Sequence, residues 1–216
     1  MSIHPTALVE TGAVVPESAK IGPYCTVGAD VVLGERCELV SHVVLDGRTR
    51  LGAGCRVYSF AAVGVAPQDL KYAGEPTSVE IGEETVIREC VTVSRGTTGG
   101  GGMTRIGAHC LIMAYAHVAH NTIVGDRVIL ANGVQLAGYV TVEDYAIVGG
   151  LVPVHQFVRI GAHSMIGGGC RVPQDIAPYT RAASGRWSRA CRYSISSLIA
   201  ELTWRTSPCT PSVSQS

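Results

Sequence analysis

The chain has 216 residues, with 26 Gly and 10 Pro but only 16% charged and 6% aromatic residues, and its Lys plus Arg count equals its Asp plus Glu count. Few charges beside 46% apolar residues exclude intrinsic disorder, and a net charge of zero leaves no electrostatic footprint for nucleic acid. The absence of a Gly-X-Y period excludes collagen, the absence of a run of about 18 apolar residues argues against a membrane span, and the opening MSIHPTALVE has no secretory-signal pattern.

Taken from the amino end, aliphatic residues recur at every sixth position: Ile3, Val9, Val15, Ile21, Val27, Leu33, Leu39, Leu45, Leu51, Val57 and Val63. The residue after each is often Gly, as at Gly22, Gly28, Gly34 and Gly52, and two residues before each stands a small or β-branched residue such as Ala19, Cys25, Val31 or Cys37. Residues 64–80 interrupt the series, which resumes in phase at Ile81, Ile87 and Val93. A second interruption, Ser94 to Met103, contains four consecutive glycines, and the period then returns from Ile106 to Val172.

A period of six fits neither a 3.6-residue helix nor a two-residue strand alone. It fits a short strand and a tight corner, repeated, so that three sides close a triangular coil of 18 residues and coils stack at about 4.8 Å. The aliphatic and the small residue fill a bore too narrow for aromatics, and Gly after the aliphatic is expected to ease the corner. The fold class is therefore all-β, a parallel β-helix built as a triangular prism. The two interruptions are loops pushed out from corners, where a solenoid builds its sites.

Five of the eight cysteines (Cys25, Cys37, Cys55, Cys110, Cys170) occupy the small inward position. Cys37 and Cys55 should stack in neighbouring coils, and they are read as reduced core residues, there being no export signal. No Cys-X-X-Cys pair suggests a structural metal.

Polar clusters break the rule of aliphatic, small and Gly. The first is the loop Pro67 to Thr77, which holds Lys71, one of two lysines in the chain. The second is Ala116-His117-Val118-Ala119-His120-Asn121, in which both histidines flank an inward valine and point outward. One coil after His120 comes Gly138, and one coil further comes Gln156, beside His155. A glycine stacked on a histidine leaves a notch with a bare N–H. A base, a backbone donor and polar groups in one vertical stripe suit acyl transfer.

The Leu/Ile/Val-Gly hexads resemble the hexapeptide-repeat acyltransferase superfamily, and the left hand of the coil rests on that resemblance, since general chirality favours right-handed crossovers. The runs His42-Val43-Val44, Gln68-Asp69-Leu70-Lys71-Tyr72-Ala73-Gly74-Glu75-Pro76-Thr77, Arg95-Gly96-Thr97, Ala116-His117-Val118-Ala119-His120 and Val154-His155-Gln156-Phe157 narrow it. Over roughly residues 3–185 they resemble the acyl-[acyl-carrier-protein]–UDP-N-acetylglucosamine O-acyltransferase family, which opens lipid A biosynthesis. The resemblance implies a cytoplasmic homotrimer with active sites between neighbouring prisms. It implies His120 as general base and Gly138 as oxyanion donor. Asp69 and His117 would hold the sugar hydroxyls, with Gln68 and Lys71 lining the substrate cleft. His155 and Gln156 would serve the donor and nucleotide side, and Gly168 would gauge acyl-chain length. Neither metal nor cofactor is expected, because the thioester is already activated and the acyl carrier protein brings its own phosphopantetheine.

Three features depart from the family pattern. Tyr139, expected in the substrate-binding set, stands where His is common, Asn121 where some members have Asp, and residues 186–216 carry no hexad where a helical domain with a basic helix is the rule. That tail holds both tryptophans, and a short helix is expected within it over 194–202. The expected division is thus a β-helix domain over 1–185 and an atypical tail over 186–216. Two alternatives remain at this point: a catalytically impaired β-helix product lacking the helical domain, and a trimeric zinc carbonic anhydrase-like protein on the same prism.

Overall fold

A computed structural model describes residues 2–183 and the backbone of 186–189. The chain is a left-handed parallel β-helix. Among the described residues its three faces hold eleven, eight and seven strands. The first face runs from Ser2–Ile3 to Met165–Ile166, the second from Leu8–Val9 to Pro153–Val154, and the third from Val32–Leu33 to Arg159–Ile160. Strands stack in register, with Lys20 on Glu38 and Glu38 on Arg56, so each residue lies over its equivalent one coil earlier. At the carboxyl end Thr180–Ala183 joins the first face in parallel, and Arg186–Arg189 then pairs with it antiparallel. The sheet therefore continues past residue 185, and the helix expected over 194–202 lies outside the described residues.

The bore follows the hexad. Leu39, Leu45, Ile87, Ile112 and Leu130 are fully buried, as are the smaller Val31, Val43, Cys37 and Cys55 beside them. Cys37 and Cys55 are free thiols. Their Sγ atoms donate to the carbonyls of Gly52 and Gly82, which fits the reduced-core reading.

One expectation needs correction. Glycine after the aliphatic does not ease the corner. The corner is the third residue after the aliphatic, and it takes the left-handed backbone region with ordinary side chains, for example Tyr24 (φ 58°), His42 (φ 50°), Asn121 (φ 58°) and Tyr139 (φ 62°). Glycine after the aliphatic is needed because the next coil passes too close. A Cβ on Gly34, Gly52 or Gly82 would stand 2.5 Å from the backbone nitrogen of Ala53, Glu83 or Ala108. Corner side chains project outward and stack coil on coil, as in Tyr24–His42–Phe60 and Tyr145–His163–Tyr179, with ring centroids 4.7–4.9 Å apart. The corner aromatics thus line the prism edges, not its interior.

The loops shift the register of the faces. Thr49 stacks on Val79, thirty residues on instead of eighteen, so the first loop inserts two hexads' worth of chain. The phase of six survives, but Ile81 stacks on Leu51 and not on Val63. After the second loop Val118 stacks on Val93, seven residues beyond the ordinary repeat.

Candidate active site

Both loops converge on the coil that carries His117 and His120. The strand His117–Val118 buries Val118 and leaves His117 half-buried on the outside. The Nδ1 of His117 lies 2.7 Å from Thr92 Oγ1 in the coil below. Burial first, and then the charge of neighbouring His120, holds the His117 imidazole below its ordinary value of 6.5. A histidine whose folded pKa is depressed favours folding above its unfolded pKa and opposes it as pH falls. The melting temperature is therefore expected to drop as pH falls from about 7 to 5, and His117→Gln should flatten that dependence; an unchanged slope in the variant would contradict the assignment.

His120 sits two residues past the strand, just before the corner residue Asn121. Its Nδ1 is 2.9 Å from Asn121 Oδ1. The amide of Asn121 has one possible orientation, because its Nδ2 donates to the carbonyls of Thr97 (3.0 Å) and Gly100 (2.9 Å). Asn121 Oδ1 therefore accepts, from the Thr97 N–H (2.9 Å), the Thr97 hydroxyl (2.7 Å) and His120 Nδ1–H. This places the imidazole proton on Nδ1 and leaves the Nε2 lone pair free.

Nε2 faces Asp69, whose Oδ2 is 4.0 Å away. That gap is too wide for a direct hydrogen bond and suits an alcohol oxygen placed between the two groups. Asp69 is itself held by the backbone: its Oδ1 accepts the Lys71 N–H at 3.0 Å and its carbonyl accepts the Tyr72 N–H at 3.0 Å.

Gly138 lies directly above His120. A Cβ there would stand 2.7 Å from His120 Cε1 and 2.8 Å from Nε2. The Gly138 N–H has no hydrogen-bond partner among the described residues, while its carbonyl accepts the Phe157 N–H at 3.2 Å. Tyr139 meets the His120 ring edge-on at 5.4 Å, stacks on Phe157 at 4.9 Å, and has its hydroxyl 3.3 Å from Thr97 Oγ1.

The structure thus gathers Asp69, His117, His120, Gly138 and Tyr139. It leaves Gln68, Lys71, His155 and Gln156 exposed, none of them bonded to His120, and the His155 Nδ1 lies 3.1 Å from the Gln156 carbonyl oxygen. Gly168 is exposed one coil above Gly150, where a Cβ would touch the Gly150 carbonyl at 3.3 Å. Among the described residues no three His, Cys, Asp or Glu side chains converge as metal ligands do.

The sequence alone gives no role to Thr92, and none to Arg95 or Thr97 beyond their place in the run Arg95-Gly96-Thr97. Thr92 is findable only once the seven-residue insertion is known, since it sits twenty-five residues before His117.

The family model described as "Bacterial transferase hexapeptide (six repeats)" matches residues 12–47 and 103–138. The chain is 38% identical to the UDP-N-acetylglucosamine acyltransferase of Francisella novicida, covering 92% of this chain and 73% of that one at a TM-score of 0.85. It belongs to the UDP-N-acetylglucosamine acyltransferase family. Other solved acyltransferases of the family agree. The one from Moraxella catarrhalis is 39% identical over 97% of this chain and 87% of its own length, TM-score 0.85. The one from Acinetobacter baumannii is 40% identical over 94% and 78%, TM-score 0.84. These acyltransferase matches favour acyl transfer over the zinc carbonic anhydrase reading. Among the described residues no helix is long and apolar enough to cross a membrane.

Proposed function

We propose that the chain transfers a 3-hydroxyacyl group from acyl carrier protein to the 3-hydroxyl of UDP-N-acetylglucosamine, in the cytoplasm and as a homotrimer, at the first step of lipid A biosynthesis. The observation that carries the reading is the free Nε2 of His120 between Asp69 and the notch of Gly138. The sugar hydroxyl enters the gap between Asp69 Oδ2 and His120 Nε2. As its oxygen attacks the thioester carbonyl, Nε2 takes its proton. The carbonyl oxygen becomes an oxyanion and meets the unpartnered N–H of Gly138. Collapse breaks the C–S bond, and the imidazolium returns its proton to the departing thiolate, leaving an ester and a free thiol.

Around this centre Asp69 and His117 hold the sugar, Gln68 and Lys71 line the cleft, and His155 with Gln156 serve the donor and nucleotide. Tyr139 supports the base through its ring and Thr97. The thioester supplies the activation, so the reaction calls on no metal or cofactor of the protein's own.

The test is incubation of the purified chain with UDP-N-acetylglucosamine and a ladder of hydroxyacyl carrier proteins, with mass spectrometry of the nucleotide sugar. The expected product is a base-labile 3-O-acyl ester. Transfer to no acceptor, with intact fold, would overturn the reading. Gly168 supplies a second arm. A Cβ there would stand 3.3 Å from the Gly150 carbonyl, a tight contact that a shift of a few tenths of an ångström relieves, so Gly168→Met is expected to fold and to project into the proposed acyl groove. Selectivity is expected to move to shorter chains, each methylene that no longer fits costing about 1–3 kcal/mol; an unchanged length profile would remove Gly168 from that role.

A further inference from the structure

Two arginines of the prism body reach the loop that presents Asp69: Arg48 Nη1 donates to the Pro76 carbonyl at 3.5 Å near the loop's far end, and Arg95, outside the residues assigned above, grips the turn of Asp69 itself. Arg95 is the first residue past the strand Thr92–Ser94 and opens the second loop. Its side chain, 17% exposed, turns back to the first loop. Nε donates to Tyr72 Oη at 2.9 Å, and the guanidinium carbon lies 5.5 Å from the Tyr72 ring centroid. Nη1 donates to the Gly64 carbonyl at 2.7 Å and to Asp46 Oδ2 at 3.1 Å. Gly47 makes room for this group: a Cβ there would stand 2.7 Å from Arg95 Nη1.

Tyr72 closes the same turn that holds Asp69, since its N–H donates to the Asp69 carbonyl and its hydroxyl donates to the Glu75 carbonyl at 3.0 Å. Fixing the Tyr72 ring therefore fixes the direction of the Asp69 carboxylate. The rest of the loop has little to hold it: Leu70 is fully exposed, and Gln68, Lys71, Ala73 and Gly74 face solvent. Among the described residues Arg95 is the one side chain of the prism body that bonds to a side chain of this loop.

We infer that Arg95 is a positioning residue: its planar fork ties the Tyr72 turn to the prism at Asp46 and Gly64, and so sets the 4.0 Å approach of Asp69 to His120. The inference rests on the acyl-transfer reading for its kinetic effect, but not for the tie itself. A misplacement near 1 Å at a reacting centre costs about 100-fold. A lysine carries the charge without the fork and cannot reach three acceptors with one geometry.

The experiment uses the full chain with Arg95→Ala, Arg95→Lys and Tyr72→Phe, read in two ways. Limited digestion with a lysine-specific protease reports the loop directly, because Lys71 lies in it and Lys20, the other lysine, lies in a strand. Cleavage after Lys71 is expected to speed up in Arg95→Ala and Tyr72→Phe with Lys20 still protected. Kinetics with UDP-N-acetylglucosamine and hydroxyacyl carrier protein are expected to show kcat/KM down about 100-fold in Arg95→Ala, chiefly in kcat, with partial recovery in Arg95→Lys. Unchanged cleavage at Lys71 in both Arg95→Ala and Tyr72→Phe overturns the tie, whatever the activity. Faster cleavage with unchanged kcat/KM overturns the positioning role. If Arg95→Ala also exposes Lys20, Tyr72→Phe decides alone, since it removes only a hydroxyl. Inactive wild type with faster cleavage in the variants defeats the acyl-transfer reading and leaves the tie standing.

Discussion

Replacing His120 by Ala is expected to lower kcat/KM for acyl transfer by about 10²–10⁴-fold, the ordinary contribution of a positioned general base. A sugar hydroxyl is a poor nucleophile near neutral pH, and among the described residues no other group offers a free imidazole nitrogen beside both a carboxylate and an unpartnered N–H. His117 is a poor substitute, because its Nδ1 is engaged by Thr92 and burial lowers its pKa, which makes its imidazole a weaker proton acceptor. The His120 side chain is 14% exposed and lies outside the bore, so the melting temperature should move little. Transfer that survives the substitution at wild-type rate would show that the base is elsewhere.

Gly138→Ala should be nearly as severe, about 10²–10³-fold in kcat, the range for loss of one oxyanion donor. Two effects add. The new methyl would stand 2.7–2.8 Å from the His120 ring, which must swing away from Asp69, and it would cover the N–H that faces the notch. Gly138 does not have a positive φ, so the backbone itself accepts alanine. Near-native thermal stability together with lost turnover would mark the glycine as part of the site. Loss of folding would place it among the structural glycines such as Gly34 and Gly82.

The hexad made the prism legible, because a narrow bore imposes one size of side chain every sixth residue and nothing else in the chain competes with that pattern. The stacking of His120 under Gly138 followed from the eighteen-residue repeat, since no insertion lies between them. The same arithmetic fails across the loops. Nothing in residues 64–80 says that the chain resumes on the third face, and nothing in Ser94 to Met103 says that seven residues are extra; both depend on how far each loop bulges. The role of Asn121 was legible only as a neighbour of the base. Its grip on Thr97 and Gly100, and that of Arg95 on Tyr72, join segments far apart in the chain and leave no periodic trace. The glycines after the aliphatics were legible as a motif, but their cause lay in the coil above and not in their own backbone angles.

The corner positions have a consequence for how such a chain reaches its native state. Among the described residues sixteen that carry a side chain hold a left-handed backbone, a conformation that costs roughly 1 kcal/mol or more apiece. A single coil gains no inter-coil hydrogen bonds and little buried surface to set against its three strained corners, so it has no stable existence alone. Each coil becomes favourable only when laid on another, which makes assembly a nucleated, zipper-like growth along one axis. Unravelling then starts at the two open ends. The strand His117–Val118 is the sixth of eight on its face, with coils above and below it, so the site's coil should be among the last to lose its amide protection in hydrogen exchange.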